Sequence, residues 1–439
     1  MKFGSVCSGI EAASVSFERV DIKPAWFSEI EKFPSDVLSY HYPEITNYGD
    51  MNNLPNLIKN EEVEAPDILC GGTPCQAFSL AGLQEGLSDE RGQLTLKFIE
   101  IADAIDLVRI KKKLKKSIVM WENVEGVLKD KTNAFGCFIS GLAGLEDVIT
   151  VKKWSNSGVL FGKKRNVAWR VLDSKFFGVP QQRKRLYVIA TDININPELI
   201  LFEKAENIDY IKLKGTKNLY ASALNISDSF FYENNLIKEI EGNKIEIFRE
   251  YTDCLYSAYG TKWNGNAAAY NGSLYISQND RIRRLTPLEC ERLMGFPDNY
   301  TKLKGSKDTS RYKAIGNSWN IQTIEWITNR ITNLKLLEDY SWVENIQISK
   351  KGIDFNLYLF EEILTITKDL IVNCSLSSNN PKKGNFFDLI DSKPSEKLYI
   401  SDKAISGILR RKNEKNLKMN ERLENLFLNQ IKDKFSFAS

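Results

Sequence analysis

The stretch DILCGGTPCQAFS, residues 67–79, joins a short apolar run to two glycines, a threonine and a proline. An apolar run bounded by turn-forming residues predicts a buried strand that ends in a tight turn. The turn carries Cys75 just beyond the strand end. A free cysteine is usually small, buried and inert, but the Gly- and Ser-bearing segment that follows at 76–93 is typical of a lid. A thiol at the hinge of a lid is placed as a nucleophile.

Four other apolar runs in the first 192 residues end in polar or Gly-rich residues, namely 2–9, 23–31, 117–124 and 185–192. Helix-like stretches such as 93–113 lie between them. Strands that alternate with helices predict an α/β fold built on a doubly wound, mostly parallel sheet. Ligands of such sheets bind beyond the carboxyl ends of the strands. Four candidate residues lie at or just past predicted strand ends: Glu29, Asp50, Cys75 and Glu122.

Composition limits the classes of protein and of site. The chain has 439 residues, 42% of them hydrophobic, which is enough for a sizeable core in two or three domains. Its net charge of +3 is too small to identify a polyanionic partner. Seven scattered cysteines and a single histidine, His41, predict reduced thiols, no metal site, and a carboxylate as general acid or base. We expect no signal peptide, no membrane span and a cytoplasmic protein, because the first residues contain no long apolar run.

The alternation of strands and helices is lost after residue 191, where polar, Asn-rich and aromatic residues are mixed. Order resumes at 281–297, where Thr286, Pro287 and Glu289 predict a capped helix start. A linker is predicted at 377–384. The expected organisation is a first domain at 1–191, a smaller irregular domain at 192–309, a return to the first domain at 310–336, and a partly helical accessory module at 337–439.

The ends of the first strands indicate a nucleoside-like ligand. CSGIEAAS, residues 7–14, places Gly9 where a ligand could approach the backbone, although a plain tight turn is the commoner explanation of one glycine. Glu29 is suited to hold a ribose diol, and Asp50 is suited to accept a hydrogen bond from an adenine amino group. Neither carboxylate identifies a nucleoside-binding site by itself.

Glu122 in MWENVEG, residues 120–126, follows an apolar strand. Partial desolvation there favours the protonated form of a carboxylate. A neutral acid beside a thiol suits addition to an electron-poor ring, because protonation makes the ring a better electrophile. The alternative is a helix cap or a salt bridge at a strand end.

Alternating polar residues open the stretch VPQQRKRLYVIA, residues 179–190. Gln181, Arg183 and Arg185 are predicted to point to one face of a strand. An arginine at a strand start could bind a base carbonyl or a phosphate. An exposed, salt-bridged strand is the alternative.

Nine stretches occur in the order in which they are found in the bacterial and phage cytosine-C5 DNA methyltransferases, and the chain resembles that family. They are CSGIEAAS, FSEIE, GDM, GGTPCQAFSLAG, DERGQL, WENVEG, GVPQQRKRLYVIA, RRLTPLECERLMGFPDNYT and AIGNSW, and together they cover most of residues 3–325. The resemblance implies a Rossmann-like methyltransferase domain, the cofactor S-adenosyl-L-methionine and double-stranded DNA as the partner. It also implies a monomer that needs no metal and acts in a bacterial cell or a phage-infected host, with a link to restriction-modification.

The resemblance assigns roles to individual residues. Cys75 is the thiolate that adds to C6 of a flipped-out cytosine, Glu122 contacts N3 and the exocyclic amine, and Arg185 contacts O2. Arg183 is grouped with these catalytic residues. The matches to the cofactor pocket are Ser8, Gly9, Ile10, Glu29, Ile30, Asp50, Met51, Pro74, Leu94, Asn317 and Ser318. The matches to DNA contacts of the lid and to its closed state are Gln76, Ser79 and Arg91.

The chain departs from the family pattern at four places. Ser5–Cys7 replaces an Asp-Leu-Phe-like strand end, Glu11 replaces a glycine, and Thr73 replaces an aromatic residue near the cofactor. Ala81 stands where some members have a serine that fills the vacated base position. These departures concern packing around the cofactor and the base, and they leave the catalytic residues unchanged.

Two other functions stay open at this point. An RNA cytosine methyltransferase of the same architecture would have a short variable region, whereas the long segment 192–280 favours sequence-specific DNA recognition. A catalytically inactive DNA-binding protein would not need Cys75, Glu122 and Arg185 together. In the tail, contact with the DNA backbone and a purely structural role are equally supported by the basic residues Arg410, Arg411, Lys412, Lys415 and Lys418.

Overall fold

The computed structural model describes residues 1–73, 90–204, 236–262, 268–334, 347–360, 363–365 and 371–436. The strands in these residues are β1 (Lys2–Val6), β2 (Lys23–Ser28), β3 (Ile68–Gly71), β4 (Ile118–Val124), β5 (Ser157–Phe161), β6 (Arg165–Asp173), β7 (Lys184–Asp192), β8 (Glu203–Lys204), β9 (Ile237–Ile240), β10 (Asn243–Ile247), β11 (Tyr275–Gln278), β12 (Arg281–Arg284), β13 (Lys350–Lys351), β14 (Asn356–Phe360), β15 (Ile363–Thr365) and β16 (Ile371–Asn373). The helices are α1 (Ala12–Phe17), α2 (Lys32–His41), α3 (Leu54–Lys59), α4 (Glu90–Lys111), α5 (Ala134–Ala143), α6 (Glu198–Leu201), α7 (Tyr259–Lys262), α8 (Ala268–Asn271), α9 (Pro287–Met294), α10 (Asp308–Asn317), α11 (Ile321–Thr332), α12 (Asp402–Glu414) and α13 (Glu421–Ser436). Within the described ranges, no helix combines the length and apolar character needed to cross a membrane.

The chain divides into two compact units. The first comprises Met1–Asp173, Lys184–Asn225 and Ile321–Pro381, and the second comprises Ser174–Arg183, Ile226–Asn320 and Lys382–Ser439. The chain therefore leaves the first unit and returns to it twice. This division differs from the predicted boundaries at 191 and 310, because the short excursion before β7 and the whole of α10 make their contacts within the second unit.

The first unit is built on a nine-stranded sheet in the order β13-β14-β5-β6-β7-β4-β3-β1-β2. Strands β2, β1, β3 and β4 are parallel, and every pair from β4 to β13 is antiparallel. The α/β class and all five predicted strands are confirmed, as β1, β2, β3, β4 and β7. Parallel pairing is confined to one half of the sheet because parallel neighbours need a long crossover, whereas β5 and β6 are joined by three residues and pair antiparallel.

Helices cover both faces of this sheet. Helices α1, α6 and α11 pack as one group, and α3, α4 and α5 pack as another. The side chain of Phe3 on β1 packs edge-on against Phe17 of α1, with ring centroids 4.7 Å apart. Val6, on the opposite face of the same strand, belongs to a core with Phe98 of α4 and Phe138 of α5. The doubly wound arrangement follows from this alternation of apolar side chains along the strands.

The second unit contains a four-stranded antiparallel sheet in the order β12-β11-β10-β9. Helix α9 begins with the predicted capping box, in which Thr286 and Glu289 each accept a hydrogen bond from the other's backbone N–H. Pro287 occupies the first helical turn, as predicted. Glu289 also forms a fully buried ion pair with Arg283 at 2.7 Å, which ties α9 to β12.

The predicted accessory module at 337–439 is divided between the two units and belongs to their cores. In the first unit, β14 pairs with β5 along its whole length and extends the central sheet. In the second unit, Ile405 and Ile408 of α12 and Leu423 and Phe427 of α13 are fully buried in one core with β11 and β12. Spacings of three and four residues place each pair on one face of its helix. The tail is therefore integral to the fold, because its apolar faces complete both cores.

Candidate active site

Glu29 joins the carboxyl ends of β1 and β2. Its Oε2 accepts a hydrogen bond from Gly9 N at 2.8 Å, and its Oε1 accepts one from Glu31 N at 2.7 Å. Gly9 has a φ of +56°, which a glycine adopts without strain, and a Cβ added there would have no neighbour within 4 Å. The turn after β1 thus presents open backbone, which fits the predicted approach of a ligand.

Asn47 fixes Glu29 from a third segment of the chain. Its Oδ1 accepts from Glu29 N at 2.9 Å, and its Nδ2 donates to Glu29 O at 3.0 Å. Its Oδ1 also accepts from Gly49 N at 3.1 Å, just before Asp50. Asn47 was not predicted as a site residue, because its only signal in the sequence is its place three residues before Asp50 in the NYGD stretch.

The remaining predicted cofactor residues near these strand ends differ in exposure. Asp50 caps a short 3-10 turn, and its Oδ1 accepts from Asn52 N at 2.9 Å. Ile10 and Met51 are buried, whereas the Ile30 side chain is 76% exposed. An isoleucine so exposed at a strand end offers apolar surface to a ligand. Two further members of the set lie elsewhere: Leu94 is half-buried on α4, and Pro74 lies outside the described residues.

Glu11 shows how the chain accommodates an acid where the family resemblance expects a glycine. Its φ is +61°, and its carboxylate caps α1 by accepting from Ser14 N at 3.1 Å and from Ser14 Oγ at 2.7 Å. Burial raises the pKa of the Glu11 carboxyl to about 7. Glu11 is therefore a helix cap just past the carboxyl end of β1, which explains why this departure does not disrupt the turn.

Thr73 is the last residue described before Cys75, and three side chains fix it. Trp121 Nε1 donates to Thr73 Oγ1 at 3.0 Å, and Asn123 Nδ2 donates to Thr73 O at 2.8 Å. The hydroxyls of Thr73 and Thr95 are 2.9 Å apart. All four residues are buried. From the sequence, Thr73 was identified only as a departure from the family, and Thr95 and Asn123 were not predicted as site residues, although Asn123 adjoins Glu122 in the WENV stretch.

Glu122 and Arg185 are brought together by the antiparallel pairing of β4 with β7. Arg185 lies opposite Val124, one diagonal step from Glu122 on the same face of the sheet. Arg185 Nε is 3.1 Å from Glu122 Oε1, and both side chains are largely buried. A guanidinium at this distance favours the ionised carboxylate, whereas the partial desolvation predicted from the sequence favours the protonated form. The salt bridge at a strand end, left open as an alternative, is present.

The predicted common face for Gln181, Arg183 and Arg185 is wrong, because β7 begins after Arg183 and only Arg185 lies on it. Gln181 and Arg183 are buried in the second unit. Gln181 Oε1 accepts from Leu255 N at 3.1 Å, and Arg183 donates to Leu255 O at 3.1 Å and to Ser318 O at 2.6 Å. A buried guanidinium bound to backbone carbonyls is a structural cross-link, so these contacts do not support a catalytic role for Arg183.

Asn317 and Ser318, predicted to line the cofactor pocket, end helix α10 in the second unit. Asn317 is exposed, whereas Ser318 is buried and its Oγ donates to Trp319 O at 3.3 Å. Their part in cofactor binding stays a prediction. The predicted roles of Cys75, Gln76 and Ser79 also stay predictions, because these residues lie outside the described residues. Arg91 lies on α4, but its side chain is also outside them.

Five described cysteines are poor nucleophiles. Burial raises the pKa of Cys7 and of Cys374 to about 12, and the negative charge of Glu29 adds to the effect on Cys7. Burial also raises the pKa of Cys70, Cys137 and Cys290. Because the thiolate is the reactive form, these five residues are structural thiols.

A cavity of about 590 Å³ lies at the opposite end of the parallel strands from this site. Its lining includes Lys2 and Lys23, the first residues of β1 and β2, and Asp67, which immediately precedes β3. Ligands of open α/β sheets bind at the carboxyl ends of the strands, so this cavity is not the candidate active site. In the part of the chain that the structure describes, no group of three His, Cys, Asp or Glu residues is arranged to hold a metal ion.

Comparison with known proteins agrees with the motif order. A family model described as C-5 cytosine-specific DNA methylase matches residues 1–333. The chain is 34% identical over 459 aligned positions to a protein of Escherichia phage P1 named DNA N-6-adenine-methyltransferase, with 75% of this chain and 61% of that protein covered. It thus spans less than two thirds of that relative. It is 26% identical to the Type II methyltransferase M.HhaI of Haemophilus parahaemolyticus, with 75% of this chain and 94% of that protein covered.

Solved structures with a similar chain course include the Dnmt2 methyltransferase of S. pombe, which covers 76% of this chain and 99% of its own at 15% identity and a TM-score of 0.47. Three quarters of the 439 residues are matched by a single family model. On that match, this chain belongs to the C-5 cytosine-specific DNA methylase family.

Proposed function

We propose that this protein is a DNA (cytosine-5-)-methyltransferase, which transfers the methyl group of S-adenosyl-L-methionine to C5 of a flipped-out cytosine in duplex DNA. The observation that supports this most directly is the arrangement around the end of β4. One face of this strand carries Glu122, which pairs with Arg185. The other face carries Trp121 and Asn123, which hold Thr73 two residues before Cys75.

The proposed reaction begins with addition of the Cys75 thiolate to C6 of the cytosine. A sulfur–carbon bond forms, and electron density moves through the ring toward N3 and C5. For this step Glu122 must be protonated, with the bound cytosine replacing Arg185 as its partner. Glu122 then supplies a proton at N3 and Arg185 donates a hydrogen bond to O2, so charge that develops on the ring is stabilised by buried groups. The cofactor supplies an electrophilic methyl group. C5 takes this methyl group, and loss of the C5 proton to a base, with return of the N3 proton to Glu122, then restores the ring and releases the thiolate.

The residues at the ends of β1 and β2 fit the cofactor. The open backbone at Gly9, the acceptors Glu29 and Asp50 and the exposed Ile30 combine polar and apolar contacts at the carboxyl edge of a parallel sheet. Each carboxylate oxygen of Glu29 accepts one hydrogen bond from the backbone and keeps a lone pair for a ribose hydroxyl. The other cofactor residues are proposed from the resemblance: Ser8, Ile10, Met51, Pro74, Leu94, Asn317 and Ser318.

DNA is proposed as the substrate because of the long segment between the catalytic motifs. We assign target recognition to the second unit, which contains the described part of this segment from residue 236 onward and folds it into a four-stranded sheet. Gln76 and Ser79 are proposed to contact phosphates beside the flipped base, and Arg91 is proposed to help hold the lid closed.

The test is methyl transfer from labelled cofactor to duplex DNA and, separately, to tRNA, followed by nucleoside analysis of the product. 5-Methylcytosine in DNA supports the proposal. N6-methyladenine would instead give this chain the activity that the name of the phage P1 relative states, and label in tRNA would make it an RNA enzyme. DNA that contains 5-fluorocytosine should trap the wild-type protein covalently, since fluorine cannot leave as a proton, whereas the Cys75→Ser variant should form no adduct.

A further inference from the structure

The hydroxyl of Thr73 connects the two ends of the segment that contains Cys75. Thr73 lies two residues before that cysteine, and Thr95 lies beyond it on α4, which begins at Glu90. Their Oγ1 atoms are 2.9 Å apart, and both residues are almost completely buried. The hydroxyl pair therefore links the residues that follow β3 to helix α4.

The partners of this pair are themselves fixed. Trp121, which donates to the Thr73 hydroxyl, lies on the central strand β4 and packs against Phe138, with ring centroids 4.3 Å apart. Asn123 holds the carbonyl of Thr73, and the residue two before Thr73 is in register with Trp121 in the parallel ladder of β3 and β4. Both the backbone and the side chain of Thr73 are thus held by buried residues of β4.

We propose that Thr73, together with Thr95 and Trp121, is a positioning residue for the Cys75 nucleophile. This inference rests on the function proposed above. Two peptide steps allow the Cα atoms of Thr73 and Cys75 to be no more than about 7.6 Å apart, so Thr73 is the buried anchor nearest in the chain to the thiol among the described residues. The family resemblance expects an aromatic residue at position 73, and such a side chain could neither accept from the Trp121 indole nor pair with the Thr95 hydroxyl.

The test compares Thr73→Val, which keeps the shape and removes the hydroxyl, with Thr73→Ser, which keeps the hydroxyl. A displacement of about 1 Å at a reacting group can cost on the order of 100-fold in rate. We expect Thr73→Val to lower the single-turnover rate at saturating DNA and cofactor by about 10–100-fold. Dissociation constants for both ligands should change by less than about threefold, and Thr73→Ser should restore the rate. Combining Thr73→Val with Thr95→Val should lower the single-turnover rate by no more than the larger single effect, because both substitutions remove the same hydroxyl pair.

Thr328→Val is the matched control, because Thr328 is also fully buried in the first unit and its hydroxyl donates only to the carbonyl of Ile324 in its own helix, at 2.8 Å. It should lower stability without changing the single-turnover rate. If Thr73→Val does not fold, Thr95→Val carries the same test, because it leaves the Trp121 bond in place. A folded Thr73→Val protein that is less stable but transfers methyl groups at the wild-type rate would overturn this inference alone. A wild-type protein that makes no 5-methylcytosine would overturn the proposed function.

Discussion

Arg185 Nε lies 3.1 Å from Glu122 Oε1. The two side chains extend from the neighbouring antiparallel strands β7 and β4, where the parallel half of the sheet meets the antiparallel half. β4 is the last parallel strand and β7 is the first antiparallel one. The reversal of direction brings the start of β7 beside the end of β4, so an arginine at the beginning of one strand meets a carboxylate at the end of the other. In the function proposed here, this pair orients Glu122 before a base enters.

Replacing Glu122 with glutamine should reduce the single-turnover rate of methyl transfer by roughly 10²–10⁴-fold, because an amide cannot supply the proton that activates the ring. Binding of DNA should change much less, since glutamine keeps the shape and part of the hydrogen bonding. Glu125→Gln is the control, because Glu125 lies three residues further along and pairs with Lys129 at 2.9 Å. A normal rate in Glu122→Gln would mean that another group protonates the base.

Asn47→Ala should weaken cofactor binding by about tenfold without changing the recognised DNA sequence. The substitution removes the hydrogen bonds that hold the backbone of Glu29 and of Gly49, and a positioning loss at one polar contact is typically worth about 1–1.5 kcal/mol. Calorimetric titration with the cofactor measures the effect. The control is Asp36→Asn, which alters only an exposed pair with Lys32 on the next helix. Equal cofactor affinity in both variants would contradict a cofactor site at this strand end.

The local elements of this fold could be predicted from the sequence, because they depend on neighbouring residues. Apolar runs that end in polar or Gly-rich residues predicted the parallel strands, and the spacing of Thr286 and Glu289 predicted the start of α9. The Cys75 turn, Glu122 and Arg185 were singled out by their places at strand ends.

The features of the fold and the site that could not be predicted from the sequence depend on contacts between distant segments. β14 pairs with a strand about 200 residues earlier, and no local pattern records such a partner. Arg183 resembles a strand residue by alternation, yet its guanidinium is bound by carbonyls more than 70 residues away. Thr73 and Thr95 form a pair only because α4 packs beside the end of β3. The residues that support the site are therefore positioned by tertiary packing, which the sequence does not reveal. The residues proposed to act in the site could be identified from local sequence patterns.

Stability should depend on pH through Glu198, which is fully buried on α6. Burial raises the pKa of its carboxyl to about 8, well above the value of about 4.3 expected in an unfolded chain. The folded state then binds more protons than the unfolded state between these values, so the free energy of unfolding falls as the pH rises from about 5 to 8.

Glu198→Gln should remove this dependence and be more stable than the wild type at pH 8, by an amount on the order of a few kcal/mol that shrinks toward pH 5. Urea unfolding at several pH values measures it, with the exposed Glu62→Gln as control. A constant difference between Glu198→Gln and the wild type across this range would show that Glu198 does not titrate with folding.

The tail should prove essential to the second unit. Phe427 is fully buried in its core, whereas the adjacent Leu428 is 39% exposed on the same helix. Phe427→Ala should lower the free energy of unfolding by about 3–5 kcal/mol, because it leaves a cavity between α13 and the sheet. Leu428→Ala should change it by less than about 1 kcal/mol. Deletion of residues 382–439 removes the buried faces of both α12 and α13 and should leave a protein whose second unit does not fold, measured by loss of protection from hydrogen exchange in β10, β11 and β12. A truncated protein with normal protection in these three strands would mean that the sheet is stable without the helices, and that the tail is an accessory module after all.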